Sequence, residues 1–196
     1  LSSVEYAPSD KLRFSYFGGL TLERNLKSFS DALSRLLEGR PELSTLLEVH
    51  QYGGDIDEIS RVGFAQFPEA ILKSHGRLET DPDTGKSGRQ RVLESMRQSD
   101  VLVLIHGQGD LCKLYIPSKI YEYLWAQRPV LIFSPAPGHW EEILDPSCHY
   151  VVDQSDIIAV DKVLRQLIKD WRADQLSDRP ISQAYSVETA VEQLVS

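Results

Sequence analysis

The chain is poor in the residues that build a reactive centre by themselves. Of its 196 residues only two are cysteine and one is methionine. Cys112 and Cys148 form no CxxC pair, and a reducing compartment fits them better than a disulfide scaffold. The five histidines, His50, His75, His106, His139 and His149, are dispersed, and no His/Cys cluster has metal-ligand spacing. Each reads as structural, His106 being the least bland because it ends a buried strand. No run of about 18 apolar residues occurs, so no segment reads as a membrane-spanning helix. The GxGxxG fingerprint is also missing, which argues against a standard NAD site. Positive charge is in the minority: 21 Lys and Arg stand against 29 Asp and Glu, a net charge of -8. That balance disfavours nonspecific attraction to nucleic acid or to anionic lipid.

What is present suits one globular domain, with 41% hydrophobic and 26% charged residues. Leu1-Ser2-Ser3-Val4-Glu5 has neither an initiating Met nor a signal-peptide pattern and reads as the start of a piece of a longer protein. After a lead-in over 1–12, Arg13–Phe17 reads as a short buried strand stopped by Gly18-Gly19. Apolar residues from Leu22 to Leu37 recur at helical spacing, and Gly39 and Pro41 end that helix. Thr45–His50 reads as a strand, Ile56–Phe67 as a helix, and Ala70–His75 as a weaker strand ending at Gly76. Glu79–Gly88, charged and rich in turn formers, reads as a mobile loop, followed by a helix over Gln90–Gln98. Val101–Ile105 is continuously apolar, as a parallel strand buried on both faces must be. Pro117–Ala126 reads as a helix, Pro129–Phe133 as a strand, Trp140–Leu144 as a short helix and His149–Val152 as the last strand. Helices over Ile157–Leu176 and Val187–Val195 close the chain. The alternation predicts an α/β doubly wound parallel sheet of about six strands, with helices on both faces and right-handed crossovers.

Ligands of such sheets bind beyond the carboxyl ends of the strands, so the strand-to-helix turns carry the information. In Phe17–Asn25, Gly18 and Gly19 let backbone approach a ligand, and Arg24 offers a forked cation for phosphate. A plain tight turn explains the same residues. Gly76 begins a second turn whose backbone could border a base, although a simple strand exit accounts for it too. The third turn is the most informative. Pro117 suits a first helical position, and Ser118 and Lys119 stand beside exposed amides, an arrangement fit for a diphosphate. Glu122, one turn on, can accept hydrogen bonds from ribose hydroxyls; the bland alternative is a cap, a surface charge and a solvated face.

The order of a glycine turn, a long helix, the run Ser99-Asp100-Val101-Leu102-Val103-Leu104-Ile105 and then Ile116-Pro117-Ser118-Lys119-Ile120-Tyr121-Glu122 leading to Arg128-Pro129-Val130-Leu131 resembles the C-terminal domain of GT-B glycosyltransferases of the large retaining group. The resemblance covers residues 13–195. It implies a donor domain that binds a UDP- or GDP-linked sugar, with no metal, for transfer to an acceptor held by an N-terminal domain outside this chain. It places Gly18, Gly19, Arg24, Ser118 and Lys119 at the diphosphate and Glu122 at the ribose. The family's paired glutamates, seven residues between them, are not matched: Leu114 holds the first position, with Asp110 or loop amides over 107–116 as candidate replacements. The implied setting is polysaccharide or glycan assembly in the cytoplasm, at the membrane surface through the absent half. Two other readings remain: a non-catalytic regulatory module that binds a nucleotide or a partner, and half of a GT-B sugar-nucleotide epimerase.

Overall fold

The structure, a computed structural model, describes residues 4–107, 112, 115–135, 140, 144–145, 149–176 and 178. Six parallel strands make one sheet in the order β3-β2-β1-β4-β5-β6. In chain order these are β1 (Leu12–Phe17), α1 (Lys27–Gly39), β2 (Leu47–Tyr52), α2 (Glu58–Phe64), β3 (Leu72–Ser74), α3 (Gly88–Arg97), β4 (Val101–Ile105), α4 (Lys119–Trp125), β5 (Val130–Phe133), β6 (Tyr150–Val152) and α5 (Ile157–Arg172). The doubly wound sheet expected from the alternation of elements is therefore the one observed. Both edge strands, β3 and β6, have only three residues, which limits edge pairing with other chains.

The central strands explain the layering. Every residue of β4 and of β5 is buried. Val101, Val103 and Ile105 point into one core with Phe14, Phe29, Leu33, Leu36 and Leu164, beneath α1 and α5. Leu102 and Leu104 enter a second core with Met96, Ile120, Tyr123 and Trp140, beneath α3 and α4. Each fully buried Leu, Val or Phe contributes roughly 1.5–3 kcal/mol relative to exposure, so the two cores carry most of the folding free energy.

Helix boundaries follow local chemistry. Ser87 and Gln90 form a capping box that starts α3 at Gly88, two residues before the apolar pattern predicts. Asp57 caps α2 and Asp156 caps α5, each through its side chain. The first long helix begins at Lys27 and not at Leu22, which is 82% exposed: residues 20–26 form a turn held by reciprocal Thr21 and Arg24 backbone hydrogen bonds. Pro117 does not occupy a first helical position either. Ser118 is the N-cap, without a side-chain cap bond, and the helix starts at Lys119. A 3₁₀ turn over Pro41–Thr45 delays β2 to Leu47. The predicted closing helix Val187–Val195, most of the Trp140–Leu144 helix, and Asp110, Leu114, His139 and Cys148 lie outside the described residues.

The opposite end of the sheet is tied by a buried cation. Arg128, 0% exposed, donates from Nε to the Ser99 carbonyl at 2.8 Å, from Nη2 to the Leu176 carbonyl at 2.8 Å and from Nη1 to Asp178 at 3.0 Å. Its guanidinium carbon lies 3.4 Å from the centre of the Tyr6 ring, and Tyr6 in turn donates to buried Asp100. The segment before β1 and the segment after α5 are thus both fastened to the base of β4 and β5, leaving the carboxyl ends of the strands open.

Candidate functional site

The order in which successive strands are added reverses between β1 and β4, the central parallel pair of the sheet. One hydroxyl organises that point. Tyr123, fully buried on α4, donates to the Val103 carbonyl at 3.1 Å and accepts from the Phe17 amide at 3.1 Å. The β1–β4 register runs from Phe14 to Tyr16, and beyond it the Tyr123 hydroxyl bridges the two strands. Burial raises the Tyr123 pKa far above that of ordinary tyrosine, so it remains a donor at any working pH. It also hangs the first turn of α4 directly over the switch point.

Glycines sit where β1, β2 and β3 end. Gly18, at φ +136°, extends the ladder by donating to the Tyr52 carbonyl at 2.8 Å. Gly53, at φ +108°, packs against it so closely that a Cβ there would lie 3.0 Å from the Gly18 nitrogen. Gly53 in turn donates to the Gly76 carbonyl at 2.7 Å. Only glycine combines such dihedrals with that backbone approach.

Over this floor lie two clefts that share Phe17, Gly18 and Lys119. The first, about 600 Å³, includes Gly19, Arg24, Ser118, His106 and Tyr115 in its walls. The second, about 520 Å³, includes Tyr52, Gly53, Leu78, Arg89 and Glu122. Lys119 stands where they meet. Its Nζ donates to the Phe17 carbonyl, and a Cβ added at Gly18 would come within 2.6 Å of it. Burial pulls the Lys119 ammonium below its ordinary pKa, Glu122 raises it in part, and Arg24 lowers it further. The Arg24 guanidinium meets no carboxylate among the described residues.

The sequence-predicted residues thus divide. Gly18, Gly19, Arg24, Ser118 and Lys119 come together around the larger cleft. Glu122 faces the smaller one, paired to Arg89 at 2.7 Å. Gly76 lines neither and acts through its carbonyl on Gly53. Because α4 has seven residues, its macrodipole is small and the anion-binding capacity resides in Lys119 and Arg24. Gly53, Tyr123 and Arg89 escape sequence reasoning; for Gly53 the glycine pair after β2 was the available signal.

His106 ends β4, buried between Tyr115 and Trp140, with its Nε2 on the Cys112 carbonyl. His50 and His75 hydrogen-bond each other at 3.0 Å in an aromatic row with Tyr52 and Phe17. Two Asp-x-Asp triplets, Asp55–Asp57 and Asp81–Asp83, invite a metal reading. Asp57 caps α2, and Asp81 accepts from the amides of Asp83 and Thr84. No group of three or more His, Cys, Asp or Glu able to hold a metal exists among the described residues. A third cavity of about 340 Å³, under α3, contains Arg13, Lys86 and Arg91, but Asp100, Glu94 and the Glu79 carbonyl already engage them. No described helix is long and apolar enough to cross a membrane.

No family model matches the chain, and comparison with curated proteins finds no match. Solved structures do match. A variant of S. aureus TarM in complex with Fondaparinux, α-GlcNAc-glycerol and UDP aligns with TM-score 0.59 at 15% identity, over 100% of this chain and 36% of that one. The UDP-forming α,α-trehalose-phosphate synthase of Burkholderia vietnamiensis aligns with TM-score 0.56 at 14% identity, over 85% and 38%. The S. aureus MnaA–UDP structure aligns with TM-score 0.57 at 13% identity, over 95% and 44%. The chain spans less than half the length of each. At these identities the likeness establishes the fold, a Rossmann-like half of the GT-B type.

Proposed function

We propose that the chain is the donor-binding half of a glycosyltransferase, holding a nucleoside diphosphate sugar across the carboxyl ends of β1, β2 and β4. One observation carries the reading: two clefts of different chemistry meet at the switch point over a glycine floor, with Lys119 at the junction. The larger, with Lys119, Arg24 and Ser118, suits the diphosphate and the transferred sugar. The smaller, with Glu122, suits the nucleoside. Of the three structures described above, two hold UDP and the third is described as UDP-forming, which supports a uridine or related donor.

The chemistry follows from placement. As the sugar leaves, negative charge grows on the diphosphate oxygens. Lys119, partly desolvated and preorganised on the Phe17 carbonyl, would stabilise that charge together with Arg24. No metal is needed when two cations serve the phosphates. Where the resembled family carries the first of its two glutamates this chain has Leu114, and His106, in the wall of the larger cleft, would face the transferred sugar. The acceptor would be held by an N-terminal domain not contained in this chain.

Calorimetric titration with UDP, GDP and a dinucleotide tests this reading. The expected result is binding of a nucleoside diphosphate that is lost in Lys119→Ala and weakened in Glu122→Ala. A folded chain that binds none of them would instead fit a regulatory module with a protein partner.

A further inference from the structure

The nucleoside half of the crevice holds a second charged group. Arg89, the second residue of α3, donates from Nη1 to Glu122 Oε1 at 2.7 Å. Among the described residues Glu122 is its only hydrogen-bond partner, and the other Glu122 oxygen, Oε2, meets no donor. The backbone beneath Arg89 is fixed. Gly88 lies so close to the loop before it that a Cβ would fall 2.1 Å from the Leu78 carbonyl oxygen. The Ser87–Gln90 capping box and an Arg91 hydrogen bond to the Glu79 carbonyl at 2.9 Å hold the same turn. Arg89 therefore reaches Glu122 from the wall of the cleft opposite α4, with its side chain 56% exposed.

We propose that Arg89 is a specificity-determining residue for the ribose of the bound nucleotide, the second jaw of a diol clamp whose first jaw is Glu122. The inference rests on the donor-site reading above. A hydroxyl both donates and accepts, whereas a carboxylate only accepts. Facing Glu122 alone, the ribose would leave its own lone pairs to water. With the guanidinium fork alongside, one hydroxyl donates to Glu122 Oε2 and accepts from a second N–H of Arg89. The pair then recognises the ribose diol, and an analogue lacking the bridging hydroxyl forfeits one hydrogen bond to each charged group. Arg89 also offsets the Glu122 charge, which by itself would repel a diphosphate one helical turn away.

The test is calorimetry of the full chain with UDP and GDP, each beside its 2′-deoxy form. The readout is the ratio of the two affinities, because a general loss of charge or of folding moves both together. The wild-type chain is expected to prefer the ribonucleotide by roughly ten- to a hundredfold, the worth of one or two hydrogen bonds to charged groups. Arg89→Ala, which leaves only the Glu122 bond, should reduce the ratio at least about threefold, and Arg89→Lys, which keeps the charge but not the fork, should fall between. An Arg89→Ala chain that binds with the wild-type ratio overturns the clamp and leaves Arg89–Glu122 an exposed ion pair. A wild-type chain that binds neither UDP nor GDP removes the donor reading and the clamp with it.

Discussion

Replacing Gly18 by alanine probes the geometry at the centre of the crevice. At φ +136° an L-residue is strained by about 1–3 kcal/mol, whatever space surrounds it. The added methyl would also lie 2.6 Å from Lys119 Nζ, and 3.7 Å from the Tyr16 hydroxyl. The ammonium is the far end of a flexible chain and can withdraw, but it then gives up its bond to the Phe17 carbonyl, about 1 kcal/mol more. Gly18→Ala should therefore cost about 2–4 kcal/mol, a fall in Tm of roughly 4–16 °C for a chain of this size. Measured in a Lys119→Ala background, the same substitution should cost about 1 kcal/mol less, because strain remains while the collision is gone. Thermal and urea unfolding of the four proteins supply the cycle. A cost below about 0.5 kcal/mol in both backgrounds would refute the strain, and equal costs in the two would refute the contact with Lys119. Nucleotide affinity should drop roughly ten- to a hundredfold in Gly18→Ala, since the displaced cation no longer stands at the junction.

Arg128→Met should destabilise the chain by about 3–5 kcal/mol, because the carbonyls of Ser99 and Leu176 and the Asp178 carboxylate lose one shared buried donor. Urea unfolding that finds a loss below about 1 kcal/mol would mean the clamp is dispensable. Acid should weaken the fold from pH 6.5 downward. Burial alone would raise the Glu48 carboxyl, but hydrogen bonds from Lys73, Lys11 and His50 hold it at about 2. Its contribution is present above the ordinary 4.5 and lost as pH falls towards 2. Burial likewise lowers His50 and His75, so the unfolded chain takes up protons first below 6.5. Glu48→Gln should flatten the stability profile below pH 4.5 by roughly 1–3 kcal/mol, allowing for screening of the half-exposed lysines; an unchanged slope argues against the network. Nucleotide binding should take up protons in alkaline buffer, because a diphosphate raises the Lys119 pKa that burial lowers. Affinity should then decline as pH rises through a value below 10.5, and calorimetry in buffers of different ionisation enthalpy that detects no proton uptake would contradict it.

The local pattern of residues was enough to read the layered sheet. The unbroken apolar runs of β4 and β5 suit only strands covered on both faces, and the period of Phe29, Leu33 and Leu36 suits only a helix lying on one. The candidate residues at strand exits stood out for a related reason: glycine pairs and a Pro-Ser-Lys turn have backbone consequences within a few residues. Boundaries were less so. Leu22 continues the helical period of α1 yet lies in solvent, because a turn held by Thr21 and Arg24 competes with helix over 20–26. Long-range side-chain partnerships were beyond reach. Nothing near Tyr123 announces that its hydroxyl will join Phe17 to Val103, 106 and 20 residues away. Nor does the pattern around Arg128 or Arg89 foretell a clamp on the segments before β1 and after α5, or an ion pair across a cleft. Periodicity and turn chemistry are properties of neighbours along the chain, whereas a buried polar group finds its partner wherever the packed layers deliver one. The sequence alone determined which strand exits carry glycine pairs and cations, and the tertiary structure decided that Lys119 stands between two clefts with Glu122 already held by Arg89.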